Sequence, residues 1–182
     1  MSYKKVTTEN YNIEIFDDVF SYDYRLFLYT FCLKSYYMIG WEDTNEVENA
    51  HLKYLHSFWN KDDLEKTNFT KEISKNQKLL EFVEKYNIKK TVANLSYPNA
   101  VYFAHTHGEE KVLLYYANTQ WKQEWAGETL FFDESGKEVV YTSTYTPGRI
   151  IIFDGKMPHT IRPQSSAAPH FRFTISTFWS SK

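Results

Sequence analysis

Three histidines in the C-terminal half have the type and spacing to hold a metal ion. His105 and His107 stand in VYFAHTH (101–107). On a strand alternate residues share a face, so Phe103, His105 and His107 are expected to point the same way. Two imidazoles one residue apart on one face can grip a single ion, and a third ligand then has to come from another part of the chain. His159, in DGKMPHT (154–160), follows a tight turn, and in a jelly roll its strand can lie beside the first. Three side chains on one side of an ion leave the opposite side open to substrate and oxygen, as non-haem iron chemistry requires. His51 and His56, in HLKYLHSFW (51–59), have no matching partners and read as ordinary structural histidines, while His170 in QSSAAPH (164–170) reads as solvent-exposed.

A second segment, FRFTIS (171–176), puts Arg172, Thr174 and Ser176 on one face of a strand and Phe171, Phe173 and Ile175 on the other. If the polar face lines the interior, the guanidinium needs an anion, because an unpaired buried charge costs several kcal/mol. A dicarboxylate would supply one in a bidentate pair, with the Thr174 hydroxyl as a further donor. The other reading of the same alternation turns Arg172 to water and the aromatics to the core.

The elements that must position these groups divide the chain in two. Residues 1–90 mix a short strand (Ile13–Phe16), a helix over about Tyr22–Tyr36 and a charged helix ending near Tyr86, in which Ile73, Leu79, Leu80, Phe82 and Val83 fall on one face at helical spacing. From residue 91 to 182 helical periodicity gives way to short strands. These are expected at Thr91–Leu95, Val101–His105, Lys111–Tyr116, Thr129–Phe132, Val139–Thr142, Arg149–Phe153 and Phe171–Phe178. Turn signals at YPN (97–99), Asp133–Gly136, TPG (146–148) and DG (154–155) separate them. Many short strands at this spacing predict a jelly-roll barrel with helices packed outside one sheet, a mainly β fold with flanking helices (α+β). The 182 residues are expected to form a single domain, 1–90 supporting the 91–182 core.

Composition narrows the function classes. The formal charge is −2, with Lys and Glu interspersed, so neither nucleic acid nor an anionic membrane is an expected partner. Aromatic residues make up 19 %, which favours strands and an aromatic-lined cavity. Cys32 is the only cysteine, in an apolar helical context where a buried inert thiol is expected. The N-terminus has no apolar leader and no run has the length to cross a bilayer, so the cytoplasm is the expected location. Trp121, Trp125 and Trp179 could line an entrance, although large aromatics beside strands are usually packing. Nothing in the pattern assigns an oligomeric state.

Taken in order, residues 95–179 resemble the catalytic core of Fe(II)/2-oxoglutarate-dependent dioxygenases of the prolyl 4-hydroxylase type. The Tyr97-Pro98 turn precedes the first metal strand. HTH (105–107) occupies the place of the family's HxD, and LLYYAN (113–118) followed by Trp121 looks like its YYLN…W strand. WAGET (125–129) looks like the GGE segment, with Ala126 in place of the first glycine; TPGRIIIF (146–153) leads to His159, and Arg172 with Thr174 fits the RxS/T pair. The resemblance implies that His105 and His159 ligate Fe(II). It also implies that Arg172 pairs with the distal carboxylate of 2-oxoglutarate, helped by Thr174 and by Tyr116 or Tyr115, with Tyr97 reaching the cosubstrate's other end. The implied reaction couples oxidative decarboxylation of 2-oxoglutarate to hydroxylation of a small-molecule or peptidyl substrate, a prolyl side chain being the first by analogy.

One departure bears on the metal. His107 stands where the family has aspartate, so either three histidines hold the ion, or Glu109 or Glu110 supplies the carboxylate, or the site is altered. Two rival readings follow. A metal-binding cupin would use His105, His107, Glu109 and His159 and give Arg172 no role. A non-catalytic jelly-roll binding protein would keep only the shape of the site.

Overall fold

The computed structural model describes residues 2–40 and 54–182; His51 lies outside them. Eleven strands and four helices are found among the described residues. β1 (Ser2–Thr7), β2 (Asn12–Asp17), α1 (Tyr22–Lys34) and β3 (Met38–Ile39) come first. β4 (Leu55–Trp59), α2 (Lys61–Thr67), α3 (Phe69–Ile73), α4 (Gln77–Lys85) and β5 (Tyr86–Ser96) follow. The remainder is β6 (Lys111–Tyr116), β7 (Thr129–Phe132), β8 (Val139–Ser143), β9 (Ile150–Asp154), β10 (His159–Ile161) and β11 (Arg172–Ser181). One sheet of eight strands runs in the order β1-β2-β9-β6-β11-β5-β4-β3, and a smaller sheet runs β10-β7-β8. The described pairs are antiparallel. This is the expected jelly roll with helices on one side.

The large sheet is covered on both faces, and that explains its sequence. Burying both faces turns the strand pattern into apolar runs such as VLLYY (112–116) and IIIF (150–153). One face packs Leu113, Tyr115, Phe173 and Ile175 against Leu28, Cys32, Phe69 and Leu79 of the helices. The other face turns Val112, Leu114, Phe153 and Phe178 toward the small sheet, where Phe131 closes the layer. Burial pushes the Cys32 thiol well above its ordinary pKa, which makes it an inert core group.

Several expected elements come out differently. The charged helix is three helices, because Asn68 takes a left-handed conformation (φ 53°) after α2 and the Asn76 side chain caps α4 through the Leu79 amide. Ile73 and Leu79 are still both buried. The segment Val101–His105 is no strand; residues 101–104 have no regular structure and only His105 makes a β-bridge, to His159. Phe103 is half exposed and does not line the cavity that the histidines line. β1 at one edge of the large sheet, and β4 with the edge strand β3 at the other, are unexpected and widen it. Among the described residues no helix is long and apolar enough to cross a membrane.

Candidate functional site

The backbone brings the three histidines together through two contacts. His105 and His159 exchange both main-chain hydrogen bonds, N–H to C=O, at 3.0 Å each, so they form a hydrogen-bonded antiparallel pair with side chains on the same side. His107 donates its backbone N–H to the Gly155 carbonyl at 2.7 Å, and Gly155 donates to Glu110 at 3.0 Å. A side chain at Gly155 would place its Cβ 1.9 Å from the Glu109 carbonyl oxygen, so only glycine lets the 107–110 segment lie this close. The DG turn noted as punctuation is therefore also the clamp on His107.

The imidazoles are oriented by carbonyls two residues upstream. His159 Nδ1 lies 2.9 Å from the Met157 carbonyl and His105 Nδ1 lies 3.2 Å from the Phe103 carbonyl. A carbonyl only accepts, so each Nδ1 carries the proton and each Nε2 is left as a lone-pair donor. His107 Nε2 stands 3.2 Å from His159 Nε2. Two nitrogens each about 2.1 Å from a common ion, at an angle near 90–110°, are separated by roughly 3.0–3.4 Å. The ligand atoms of all three histidines lie within 4.8 Å of one another. Burial, then the neighbouring His105 and His107, hold His159 well below its ordinary pKa, so it is neutral and ready to ligate at pH 7.

Neither glutamate offered as a carboxylate ligand joins them. Glu109 pairs with Lys90 at 3.4 Å, and Glu110 accepts from the Ser181 amide at 3.1 Å and from its hydroxyl. Among the described residues the side chains grouped closely enough to hold one ion are the three histidines, without either glutamate. His56 is buried on β4 against Phe58, and His170 is exposed; both lie outside the cluster.

The same cavity, partly open to solvent, reaches from the histidines to Arg172. Alternation on β11 holds: Arg172, Thr174 and Ser176 are buried and line the cavity, while Phe173 and Ile175 belong to the helix-side core. Arg172 is 1 % exposed. Its Nε donates to the Gly127 carbonyl at 2.8 Å and its Nη2 to Thr129 Oγ1 at 3.3 Å. Its guanidinium lies over the stacked rings of Tyr145 (4.8 Å) and Tyr116 (5.4 Å). Gly127 (φ +83°) leaves the room, since a Cβ there would sit 3.2 Å from the arginine Cδ. Arg172 Nη1 is buried with no protein partner, and no carboxylate among the described residues forms an ion pair with this guanidinium.

The tyrosines divide. Tyr116 supports Arg172 from below, and its hydroxyl donates to Thr129 Oγ1 at 2.8 Å. Tyr115 points to the opposite face of the sheet, among Phe20 and Phe69, so it is a core residue and no part of the cavity. Period-two alternation decides this, since neighbours on β6 cannot both face inward. Tyr97 is half-buried on the Tyr97–Ala100 turn and is not a wall of the cavity; Tyr102, five residues on, is. Trp121 packs on Tyr145 behind the arginine, and Trp179 lies in the helix-side core against Phe82. Sequence reasoning missed Tyr102, Thr129 and Asn94. Asn94 carried a signal, a buried polar residue inside the apolar run TVANL (91–95).

No protein-family model matches the chain, and no curated protein matches it. Solved structures do. A Pseudomonas putida prolyl-4-hydroxylase superposes with a TM-score of 0.69 at 13 % identity, over 93 % of this chain and 92 % of its own. The viral collagen prolyl hydroxylase of Paramecium Bursaria Chlorella virus-1, in its 2OG complex, gives 0.65 at 16 %, over 93 % and 96 %. HygX from Streptomyces hygroscopicus, with nickel and 2-oxoglutarate bound, gives 0.66 at 8 %, over 93 % and 83 %. The chain thus has the double-stranded β-helix fold of the prolyl hydroxylases, with three histidines clustered in its barrel.

Proposed function

We propose that this protein is an Fe(II)- and 2-oxoglutarate-dependent oxygenase with a three-histidine metal site, hydroxylating a small-molecule or peptidyl substrate. One observation carries the reading: a single cavity joins three convergent imidazoles to a buried guanidinium that has an unpaired N–H. An isolated charge in that position costs several kcal/mol, and the aromatic faces beneath it offset about 2 kcal/mol. A carboxylate ligand offsets the rest. The residues fit both groups, with His105, His107 and His159 for the metal and Arg172 and Thr174 for the distal carboxylate. Tyr116 fixes the arginine rather than touching the cosubstrate.

When bound, Fe(II) and 2-oxoglutarate would supply the chemistry for using O₂ as the oxidant, one oxygen atom ending in succinate as CO₂ leaves and the other converting a substrate C–H bond to C–OH. The chain's own part is orientation and exclusion of water. The carbonyls of Phe103 and Met157 hold the His105 and His159 rings in the ligating tautomer. The guanidinium, already anchored at Nε and Nη2, offers Nη1 to one carboxylate oxygen without rearranging. Val112, Leu114, Phe153 and Phe178 wall the cavity with apolar surface, which strengthens these polar contacts.

The prolyl hydroxylase likeness makes a prolyl or other peptidyl side chain the first substrate to try. Nucleic acid and membrane surfaces have no part in this reading, and a reducing cytoplasm suits both a ferrous ion and the free Cys32 thiol.

The test is an anaerobic Fe(II) titration with and without 2-oxoglutarate, followed by the weak visible metal-to-ligand charge-transfer band. The band is expected in the wild type and not in Arg172→Ala, whose Fe(II) affinity should stay within about threefold of wild type. His107→Ala then reports whether His107 ligates. Metal uptake with no response to 2-oxoglutarate would favour the cupin-like reading, and no metal uptake the non-catalytic one.

A further inference from the structure

We propose that Asn94 is a positioning residue that sets the hydrogen-bond polarity of the cavity's anion end: its amide makes donors of the Thr174 and Ser176 hydroxyls, so that this end selects a carboxylate. The inference rests on the 2-oxoglutarate reading above. Asn94 on β5 lies directly opposite Thr174 on β11, and Ser176 is the diagonal neighbour. All three side chains are buried and line the cavity.

The Asn94 amide donates from Nδ2 to Thr174 Oγ1 at 3.3 Å and to Ser176 Oγ at 3.0 Å. An amide NH₂ has two protons, and here each goes to one hydroxyl oxygen. Each hydroxyl has one proton of its own, and no hydrogen bond among the described residues uses it. A buried hydroxyl proton has to find an acceptor, and the cavity is the space these oxygens face. With Arg172 Nη1, the β11 wall of the cavity therefore presents three donors, running from the arginine toward the histidines. A carboxylate accepts from several donors at once and has none to clash with them, whereas an amide, alcohol or ammonium group does not match such a surface. Exchanging the Asn94 amide for a carboxylate of the same shape reverses the arrangement: both hydroxyls donate toward β5, their lone pairs face the cavity, and a negative charge stands behind them.

The shape-preserving substitution is thus the damaging one, which separates this role from simple packing. Fe(II)-loaded protein is titrated anaerobically with 2-oxoglutarate by calorimetry, as wild type, Asn94→Asp and Asn94→Ala. Asn94→Asp is expected to weaken 2-oxoglutarate by more than about 100-fold and Asn94→Ala by about 10-fold. Fe(II) affinity without 2-oxoglutarate should stay within about threefold of wild type in both variants. Asn94→Asp binding as tightly as wild type, or more tightly than Asn94→Ala, overturns the proposal. Should Asn94→Asp fail to fold, a double-mutant cycle between Asn94→Ala and Ser176→Ala decides. A Ser176→Ala loss that shrinks below about threefold without Asn94 supports the coupling, and additive losses overturn it. Wild-type protein that takes up Fe(II) but no 2-oxoglutarate sinks the cosubstrate reading itself and this inference with it. That failure is recognisable because it appears before any substitution is made.

Discussion

The two ends of the cavity are built in different ways. The arginine end is a product of sheet register: Arg172, Thr174, Asn94 and Tyr116 sit on three adjacent strands of the large sheet, in consecutive antiparallel pairs. Its side chains are bonded to one another or to main chain, and Arg172 alone is held by Gly127, Thr129 and two aromatic rings. The histidine end is made mostly of irregular backbone. His105 is a single β-bridge residue, His107 stands in irregular backbone just before a bend at 108–110, and His159 opens a three-residue strand. A few main-chain bonds and one glycine hold it in place. A site made in a central sheet is as rigid as the core. A site made in loops is as good as its clamps, and its ligands can be removed with little effect on the fold.

That contrast sets the order of the expected effects. His159→Ala should weaken Fe(II) binding by more than about 100-fold while moving apo-protein stability by no more than about 1–2 kcal/mol, read by metal titration beside urea unfolding. A collapse of the fold would show that the histidine end is core after all. Gly155→Ala comes next. Its Cβ cannot share space with the Glu109 carbonyl, so the 107–110 segment must shift, with about 2–3 kcal/mol lost and Fe(II) affinity down about 10-fold or more. Unchanged metal affinity would mean that His107 is not positioned through Gly155. The smallest effect has the opposite sign and lies at the arginine end. Ala126 holds φ 54°, ψ −143°, a conformation that glycine adopts without strain. Ala126→Gly should raise stability by about 1 kcal/mol in thermal unfolding and leave metal binding unchanged. A loss of stability would say that the methyl group packs.

The residues that the two ends use were unequally legible in the sequence. Apolar runs and turn signals located β6, β7, β8 and β9 to within a residue, and β11 to within three at its end, because burial of a strand is written in its own composition. The alternation of Arg172, Thr174 and Ser176 against Phe173 and Ile175 was readable, and so were the three histidines. The strand expected at Val101–His105 was not there, since a strand forms only where a partner strand is present, which the local sequence does not encode. Tyr115 and Tyr116 could not be separated without knowing which face of β6 meets the helices. Asn94 and Thr129 went unnoticed because a lone polar residue in a strand acquires meaning only from what lies across from it. Ala126, read as a minor departure from a glycine motif, proves to be a left-handed position, and the motif had pointed to it.

By itself the sequence determined a mainly β chain with helices on one side, a set of three imidazoles and a polar stripe headed by one arginine. These depend on residue type and on periods of two and 3.6, which are local quantities. Tertiary structure alone decided that His105 pairs with His159, that Gly155 clamps His107, and that Glu109 and Glu110 turn away to Lys90 and Ser181. It also decided that Arg172 is buried with one N–H unanswered. The reason is that pairing, register and the environment of a charge are relations between segments distant in the chain, and no single segment encodes its partner.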